Sequence, residues 1–497
     1  MSQLHDIHYI RRFYRSYLAR YKLAVWLKIL YLDLRSFFIS LRNIFIWQVI
    51  CVRNAMIWHS RNFARRKLEL ASYGLTQRRN AVIRHSGNIF FWLGGAVANR
   101  LYLGCQRLLG NNVNVYLMTG FSEYSGASDT NRQELVPRRE LPLKMPDVYP
   151  EEFRKFFYDG SWSLRVPAIY AFEVSKAQVM GKSDLLFLKD QCLHHELYRF
   201  DQDLMFEEVH DIVSIFAANQ TLVRFKGQQV GSIPSGISLV GSATANYVHW
   251  LTETLPKLAL IDGVEAYRDL PYIIDAELHP NILMSLHHLN SNGRNVIQLG
   301  RGEMLAVEKL VAISPVAYVP FDFKPSIKPN ELDINPGSTL YSPDGLQQVR
   351  QSMVTFLGET EGAPKRRLFL RRTGKSRPMN NSIEVEVILR EHGFEVIEPE
   401  TLSFTDQVRL FSSAELIVSQ GGAALGNIIF APSGCHVIVL TTWSPYTIHY
   451  YFANLAALLG QRCTLIMCEP VQSDLGSHRA HMGVNVSIST LIKAIQQ

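Results

Sequence analysis

The feature that most limits what this chain can become is an alternation, met twice, of short apolar runs with amphipathic helical stretches. The first series reads SGISLVGSATANYVHWLTETLPKLALID, PYIID, a helical stretch at 279–289, NVIQLG and KLVAIS. The second reads as a helix at 345–357, RRLFLRR, a helix at 382–392, GFEVIEP, a helix at 405–413, AELIVS and then QGGAALGNIIFAPSGCHVIVL. Strands that alternate with helices call for parallel pairing, because each crossover must carry the chain back along a sheet face before the next strand starts. Residues 314–343, with six prolines, separate the two series and read as an interdomain crossing. The expected fold is therefore α/β, with two Rossmann-like domains at 168–330 and 331–497 facing a ligand cleft beyond the carboxyl ends of their strands. The first of them has a β-rich lead-in over 168–223, where IYAFEV, AQVMG, DLLFLKD and QTLVRF alternate with turn residues.

Charge divides the chain at a different place. Residues 1–84 hold 16 Lys and Arg against only Asp6, Asp33 and Glu69, whereas the remainder of this chain of net charge +7 carries a small acidic excess. A protein that binds nucleic acid through its folded body does not partition its charge this way; an arm appended to a near-neutral enzyme does. The arm, 1–111, is nearly free of Gly and Pro as far as Leu70. Lys28, Arg35 and Arg42 repeat every seven residues beside Trp26, Ile29, Phe37 and Ile44. That is an amphipathic helical pattern. It fits either a helix lying on an anionic membrane surface through residues 9–70 or a cap packed on the protein or on a second copy in a homo-oligomer. Its longest charge-free runs, 43–52 and 85–99, are shorter than the roughly 20 residues that a spanning helix needs, and arginines interrupt any candidate signal peptide. No nucleic-acid module accompanies it. A polar, turn-rich stretch at 112–167 reads as linker. The six cysteines form no CxxC pair, which speaks against a zinc knuckle or disulfide framework and for a reducing compartment.

Three motifs can carry chemistry. In Asn246-Tyr247-Val248-His249-Trp250-Leu251-Thr252-Glu253, at a strand-to-helix junction, His249, Glu253 and Lys257 fall at i, i+4 and i+8. They share one helical face if Pro256 does not end the helix first. His249 is placed to take a proton from a hydroxyl, with Glu253 orienting it or acting as base itself; the plainer reading is a structural histidine beside an ordinary Glu–Lys surface pair. Next, Arg371 and Arg372 end a strand and lead through Arg377, Asn381 and Glu384 into a helix. Clustered guanidinium groups there suit a diphosphate, or else form a solvated basic loop. Last, Gly421-Gly422-Ala423-Ala424-Leu425-Gly426-Asn427 joins a buried strand to a helix. It gives a ligand access to backbone N–H groups at a helix start, though glycines in such turns also serve packing alone. It is neither a dinucleotide fingerprint nor a phosphate-binding P-loop, which disfavours an NAD-dependent dehydrogenase.

Taken in order, NYVHWLTETLPKL, LFLRR…R…NN…E and SQGGAALGNIIFAPSG resemble the glycosyltransferase family 61 domain over roughly 168 to the C-terminus. The resemblance implies a GT-B fold and inverting transfer of a sugar from a nucleotide-sugar donor to a glycan or glycolipid hydroxyl, with no obligatory metal or cofactor. It maps Asn246, His249 and Glu253, with Tyr247 and Lys257 beside them, to the acceptor side of the cleft. Arg371, Arg372, Arg377, Asn381, Glu384, Gly421, Gly422, Ala423, Ala424 and Asn427 map to the donor side. Gly421 departs from the pattern, since members of the family usually carry a histidine there. A non-catalytic glycan- or nucleotide-binding component of a membrane-associated polysaccharide assembly is the competing expectation. The sequence reading places the protein in the bacterial cytoplasm, peripheral on the inner membrane, in cell-surface polysaccharide biosynthesis (capsule or exopolysaccharide).

Overall fold

The computed structural model describes residues 113–497 apart from 128–130, 210–212, 217–220, 226, 325–326, 358–364, 373, 375–376 and 472–481. The basic arm, 1–111, lies outside the described residues, and the chain divides into the units Met1–Val113 and Asn114–Gln497. The second unit is a mixed α/β body built on two large sheets.

The C-terminal sheet is wholly parallel, in the order Phe394–Ile397, Arg366–Leu370, Ala414–Gln420, His436–Thr441, Arg462–Met467 and Asp147–Tyr149. Its central strands are buried on both faces, as in Ala414–Gln420, where six of seven residues are buried. This is why AELIVS reads as a continuous apolar run rather than an alternating one. Between the strands lie the helices Ser382–Glu391, Phe404–Ser412, Ala423–Phe430 and Tyr450–Leu458. Helix Phe404–Ser412 starts where the Ser403 hydroxyl accepts the Asp406 N–H at 3.1 Å, satisfying a donor that the first turn leaves without a partner.

The N-terminal sheet has eleven strands of mixed direction. Parallel pairing of the expected kind joins Gln228–Ser238 to Tyr272–Asp275 and to Glu303–Ile313, and Tyr272–Asp275 to Val296–Leu299. Beyond that, Glu303–Ile313 pairs antiparallel with the twelve-residue strand Ile169–Met180, so this half is only partly Rossmann-like. The 112–167 stretch is not a linker. It supplies Val113–Gly120 and Arg132–Val136 to the N-terminal sheet, the hairpin Arg139–Leu143/Trp162–Val166, and the edge strand Asp147–Tyr149 to the C-terminal one. Arg462 fastens that edge through Asp147 at 2.9 and 3.0 Å. Apart from Val113–Gly120, which is interior to its sheet, these strands escape a sequence reading because they are edge-like, with outer positions such as Arg132, Gln133 and Glu134 exposed.

One hydrophobic core runs through both halves. Trp250, Leu255, Leu258 and Tyr272 belong to the same buried cluster as Leu368, Phe411, Ile428 and Phe430. The proline-rich 314–343 crossing folds on itself in the short ladder Ala317–Tyr318/Leu340–Tyr341 and joins the body through the ladder Asp322–Phe323/Asp203–Leu204. Among the described residues no helix is long and apolar enough to cross a membrane.

Candidate active site

An open α/β sheet binds ligands where the order of its strands reverses. In the parallel sheet the chain goes from Arg366–Leu370 outward to Phe394–Ile397, then returns to lay Ala414–Gln420 on the other side of Arg366–Leu370. The carboxyl ends at that reversal carry Arg371 and Arg372 on one strand and Gly421 and Gly422 on the other. The backbone of Gly422 is extended (φ 176°), so conformation does not require glycine there; space does. A Cβ at Gly422 would stand 2.6 Å from Nη1 of Arg372. The guanidinium thus lies against the loop that opens helix Ala423–Phe430, whose first turn presents backbone N–H groups.

Arg377 joins it. Its backbone is left-handed (φ 54°), a conformation that residues other than glycine and asparagine rarely take and that marks a site held by its surroundings. Its Nη1 donates to the Gly421 carbonyl, and its own carbonyl accepts from Nε2 of Gln420 at 3.2 Å. Burial lowers its pKa and the Arg372 cation lowers it further, which places two guanidinium groups beside one loop. Such a pair suits an anion with several oxygens.

The first motif faces this loop from the other half. Asn246 caps its helix by accepting the Val248 N–H at 3.2 Å. Pro256 does not end the helix. Residues Trp250–Thr254 instead form a wide π-turn, in which the Leu255 N–H bonds the Trp250 carbonyl, and the helix resumes as Leu255–Asp262. π-Turns of this kind often lie at functional sites. Within it His249 Nδ1 meets Glu253 Oε1 at 2.6 Å. His249 is 8% exposed; burial alone would lower its pKa, but the Glu253 carboxylate, its hydrogen bond and Asp184 together raise it. A carboxylate on Nδ1 fixes the proton there and leaves Nε2 as the basic nitrogen. The Tyr451 ring lies 6.0 Å from the His249 ring and stacks on Phe452, which in turn lies under Gly421. Histidine, arginine pair and glycine loop are therefore brought together around one tyrosine.

Other expected site residues have different partners. Arg371 is ion-paired with Glu386 at 3.2 Å and with Glu398. Asn381 ties the start of its helix to Val486, donating to its carbonyl and accepting its N–H at 2.9 Å each, while exposed Glu384 accepts from Asn381 at 3.2 Å. Asn427 is fully buried and clamps the two halves: its amide donates to Gln407 Oε1 at 2.6 Å and its carbonyl accepts the Tyr247 hydroxyl at 2.9 Å. Lys257 is half-buried, and its ammonium bears on His195. Ala423 and Ala424 open the short helix, Ala424 accepting from Asn427 at 3.1 Å.

The motifs gave no sign of Asp184, His195 and Glu207, which share a cavity with His249 and Glu253. Asp184 accepts the N–H of Ser242 at 2.9 Å and its hydroxyl. The triplet Asp201-Gln202-Asp203 is an Asp-x-Asp in sequence, but buried Asp203 is held by Arg199 at 3.1 Å and by the Tyr318 hydroxyl at 2.6 Å. No group of three or more metal-ligating side chains occurs among the described residues.

Residues 247–438 match the family model described as Glycosyltransferase 61, a match that supports a glycosyltransferase domain over that stretch. The match takes in all three motifs except Asn246. A nucleotide-sugar donor and a glycan acceptor go with the family. No curated protein matches the chain.

Proposed function

We propose that the protein is an inverting, metal-independent glycosyltransferase that uses a GT-B-like cleft, with the donor diphosphate at Arg372, Arg377 and the start of helix Ala423–Phe430. The observation that carries this reading is the meeting of the His249–Glu253 pair with the arginine and glycine loops. A general base and a cationic leaving-group site then flank one space. Nε2 of His249 takes the proton of the acceptor hydroxyl as its oxygen bonds the anomeric carbon from the side opposite the departing diphosphate. Glu253 and Asp184 stabilise the imidazolium that forms. The charge left on the diphosphate oxygens falls to the two guanidinium groups and the backbone N–H groups, a role that a divalent cation fills in other transferases. Glu253 is the orienting partner rather than the base, since its Oε1 is held by Nδ1.

The acceptor is a hydroxyl of a glycan or glycolipid in cell-surface polysaccharide biosynthesis, and the basic arm would hold the enzyme at the cytoplasmic face of an anionic membrane. The observation behind the competing reading, a non-catalytic binding component, is Gly421 in place of the family's usual histidine. Turnover separates the two. Purified protein given UDP-, GDP-, CMP- and dTDP-sugars without added metal releases nucleotide from one donor class if it is a transferase. The same binding with no release in the presence of acceptor glycans supports the competing reading.

A further inference from the structure

On the wall of the cavity opposite His249, nearly every polar group is satisfied by another protein group. The Tyr318 hydroxyl donates to Asp203, Tyr198 donates to Glu208 at 3.1 Å, and Ser242 gives both its donors to Asp184. Two atoms are exceptions. Glu207 is fully buried; its Oε1 accepts from the Ser183 hydroxyl at 3.0 Å and the Asp184 N–H at 2.9 Å, but its Oε2 is buried without a partner. His195 Nδ1 is likewise buried without one. Both residues line the cavity that His249 and Glu253 line. The Phe206 ring, next to Glu207 in the chain, stands edge-on to His249 at 6.3 Å and packs on Phe321 at 3.7 Å, giving this wall an apolar border.

A buried polar atom left without a partner costs about 1–3 kcal/mol, and a fold keeps such an atom where a water or a ligand supplies the missing bond. The chemistry of the two atoms is complementary. Burial, reinforced by Asp184, pushes the Glu207 carboxyl up to about 8, so it keeps its proton at neutral pH. Since Oε1 already accepts two donors, the proton belongs on Oε2. Burial above all, with Lys257 acting the same way against Asp184, holds His195 down to about 4, so its ring is neutral and, in the tautomer protonated at Nε2, offers a lone pair at Nδ1. One donor and one acceptor match a single hydroxyl, which needs both.

We propose that Glu207 and His195 form an acceptor subsite that grips a non-reacting hydroxyl of a polyhydroxylated acceptor and so brings a neighbouring hydroxyl against Nε2 of His249. This rests on the glycosyl-transfer reading above and adds to it the residues that choose and place the acceptor. Neither residue is catalytic; both position.

The test is saturation-transfer NMR on the full chain with the methyl glycosides of glucose, galactose, mannose, N-acetylglucosamine and xylose, each with and without UDP. At least one glycoside binds the wild type. Its affinity falls ~10-fold or more in Glu207→Leu and is restored in Glu207→Gln, whose amide can donate in the same place, the size being that of one hydrogen bond to a buried group. His195→Phe, which keeps the ring against Tyr318, gives a similar loss and serves if the leucine variant does not fold. Wild-type affinity in folded Glu207→Leu and His195→Phe, or no glycoside binding by the wild type, overturns the subsite. His249→Ala separates this from the parent reading: it lowers transfer at least a hundredfold, while the glycoside binding that remains in that background still falls when Glu207→Leu is added. Binding lost at Glu207 in a protein that never turns over a nucleotide sugar refutes the transferase reading and leaves the subsite standing.

Discussion

Two glycines four residues apart, one at the start of helix Ala423–Phe430 and one within it, answer to different demands, and alanine at each separates them. At Gly422 the backbone is extended and tolerates any residue, but a Cβ would sit 2.6 Å from Nη1 of Arg372. An ordinary contact needs roughly 3.5 Å, so the guanidinium must withdraw by about 1 Å. That is the tip of a flexible side chain, and the fold should absorb the shift with little loss of stability. The anion site should not: losing one charge-assisted hydrogen bond is worth about 1.5–3 kcal/mol, or roughly 10- to 150-fold in Kd. At Gly426 the added Cβ would meet the Val248 Cα at 3.1 Å and Leu251 Cδ1 at 3.2 Å, inside the core where the two halves join. The Val248 Cα is backbone and cannot swing aside, so Gly426→Ala should cost about 1–3 kcal/mol by overpacking. Differential scanning fluorimetry gives the melting temperatures, and calorimetric titration with UDP, GDP, CMP and dTDP gives the affinities. Gly422→Ala is expected to melt like the wild type and bind its nucleotide at least tenfold more weakly, whereas Gly426→Ala loses several degrees. Unchanged binding by Gly422→Ala, or a melting loss equal to that of Gly426→Ala, refutes the placement of Arg372 over the loop as an anion site.

Further expectations concern the histidine, the buried carboxyl and the clamp between the halves. His249→Ala should lower kcat about 10²- to 10⁴-fold, the usual range for losing a general base, with nucleotide affinity kept, as read by initial rates and titration. Because Glu253 raises the His249 pKa, the acid limb of the rate profile lies above the ordinary histidine range, and Glu253→Gln should move that limb to lower pH; an unmoved limb removes Glu253 from the orienting role. The unfolded Glu207 carboxyl loses its proton near 4.5 while the folded one keeps it to about 8. The folded state therefore holds the extra proton in that window, and stability falls as pH rises, by up to ~1.4 kcal/mol per pH unit. His195, lowered to about 4, has the opposite slope below 6.5, and His249, raised, adds a slope of the same sign above it, so the Glu207 share is the difference between wild type and Glu207→Gln from about pH 6.5 to 8, where urea melts of the variant should be flatter. Asn427→Ala strands Gln407 Oε1 in the core and should cost about 1–3 kcal/mol by chemical denaturation.

The parallel C-terminal sheet was legible because its strands are buried on both faces and its crossovers are short, so period and length speak together. The switch point, and with it Arg372 and Gly422, followed from that alternation. The ion pairs of Arg371 were not legible, because its partners Glu386 and Glu398 come from elements that sequence spacing does not bring near it. Asn427 carries the chemistry of a ligand contact but closes the seam between the halves. Asp184, His195 and Glu207 were invisible because a long mixed sheet, whose connections no short motif records, brings them to His249. The edge strands within 112–167 were missed since one face of each is polar and solvent-facing, which in sequence looks like loop.

The most direct test of the central claim is nucleotide release by purified protein from a panel of UDP-, GDP-, CMP- and dTDP-sugars in the presence of acceptor glycans, without added metal, for wild type and His249→Ala in parallel. The account predicts release from one donor class by the wild type and at least a hundredfold less by His249→Ala, with the donor still bound by both. Equal release by the two proteins would contradict it, because the reaction would then not depend on the base around which the site is built.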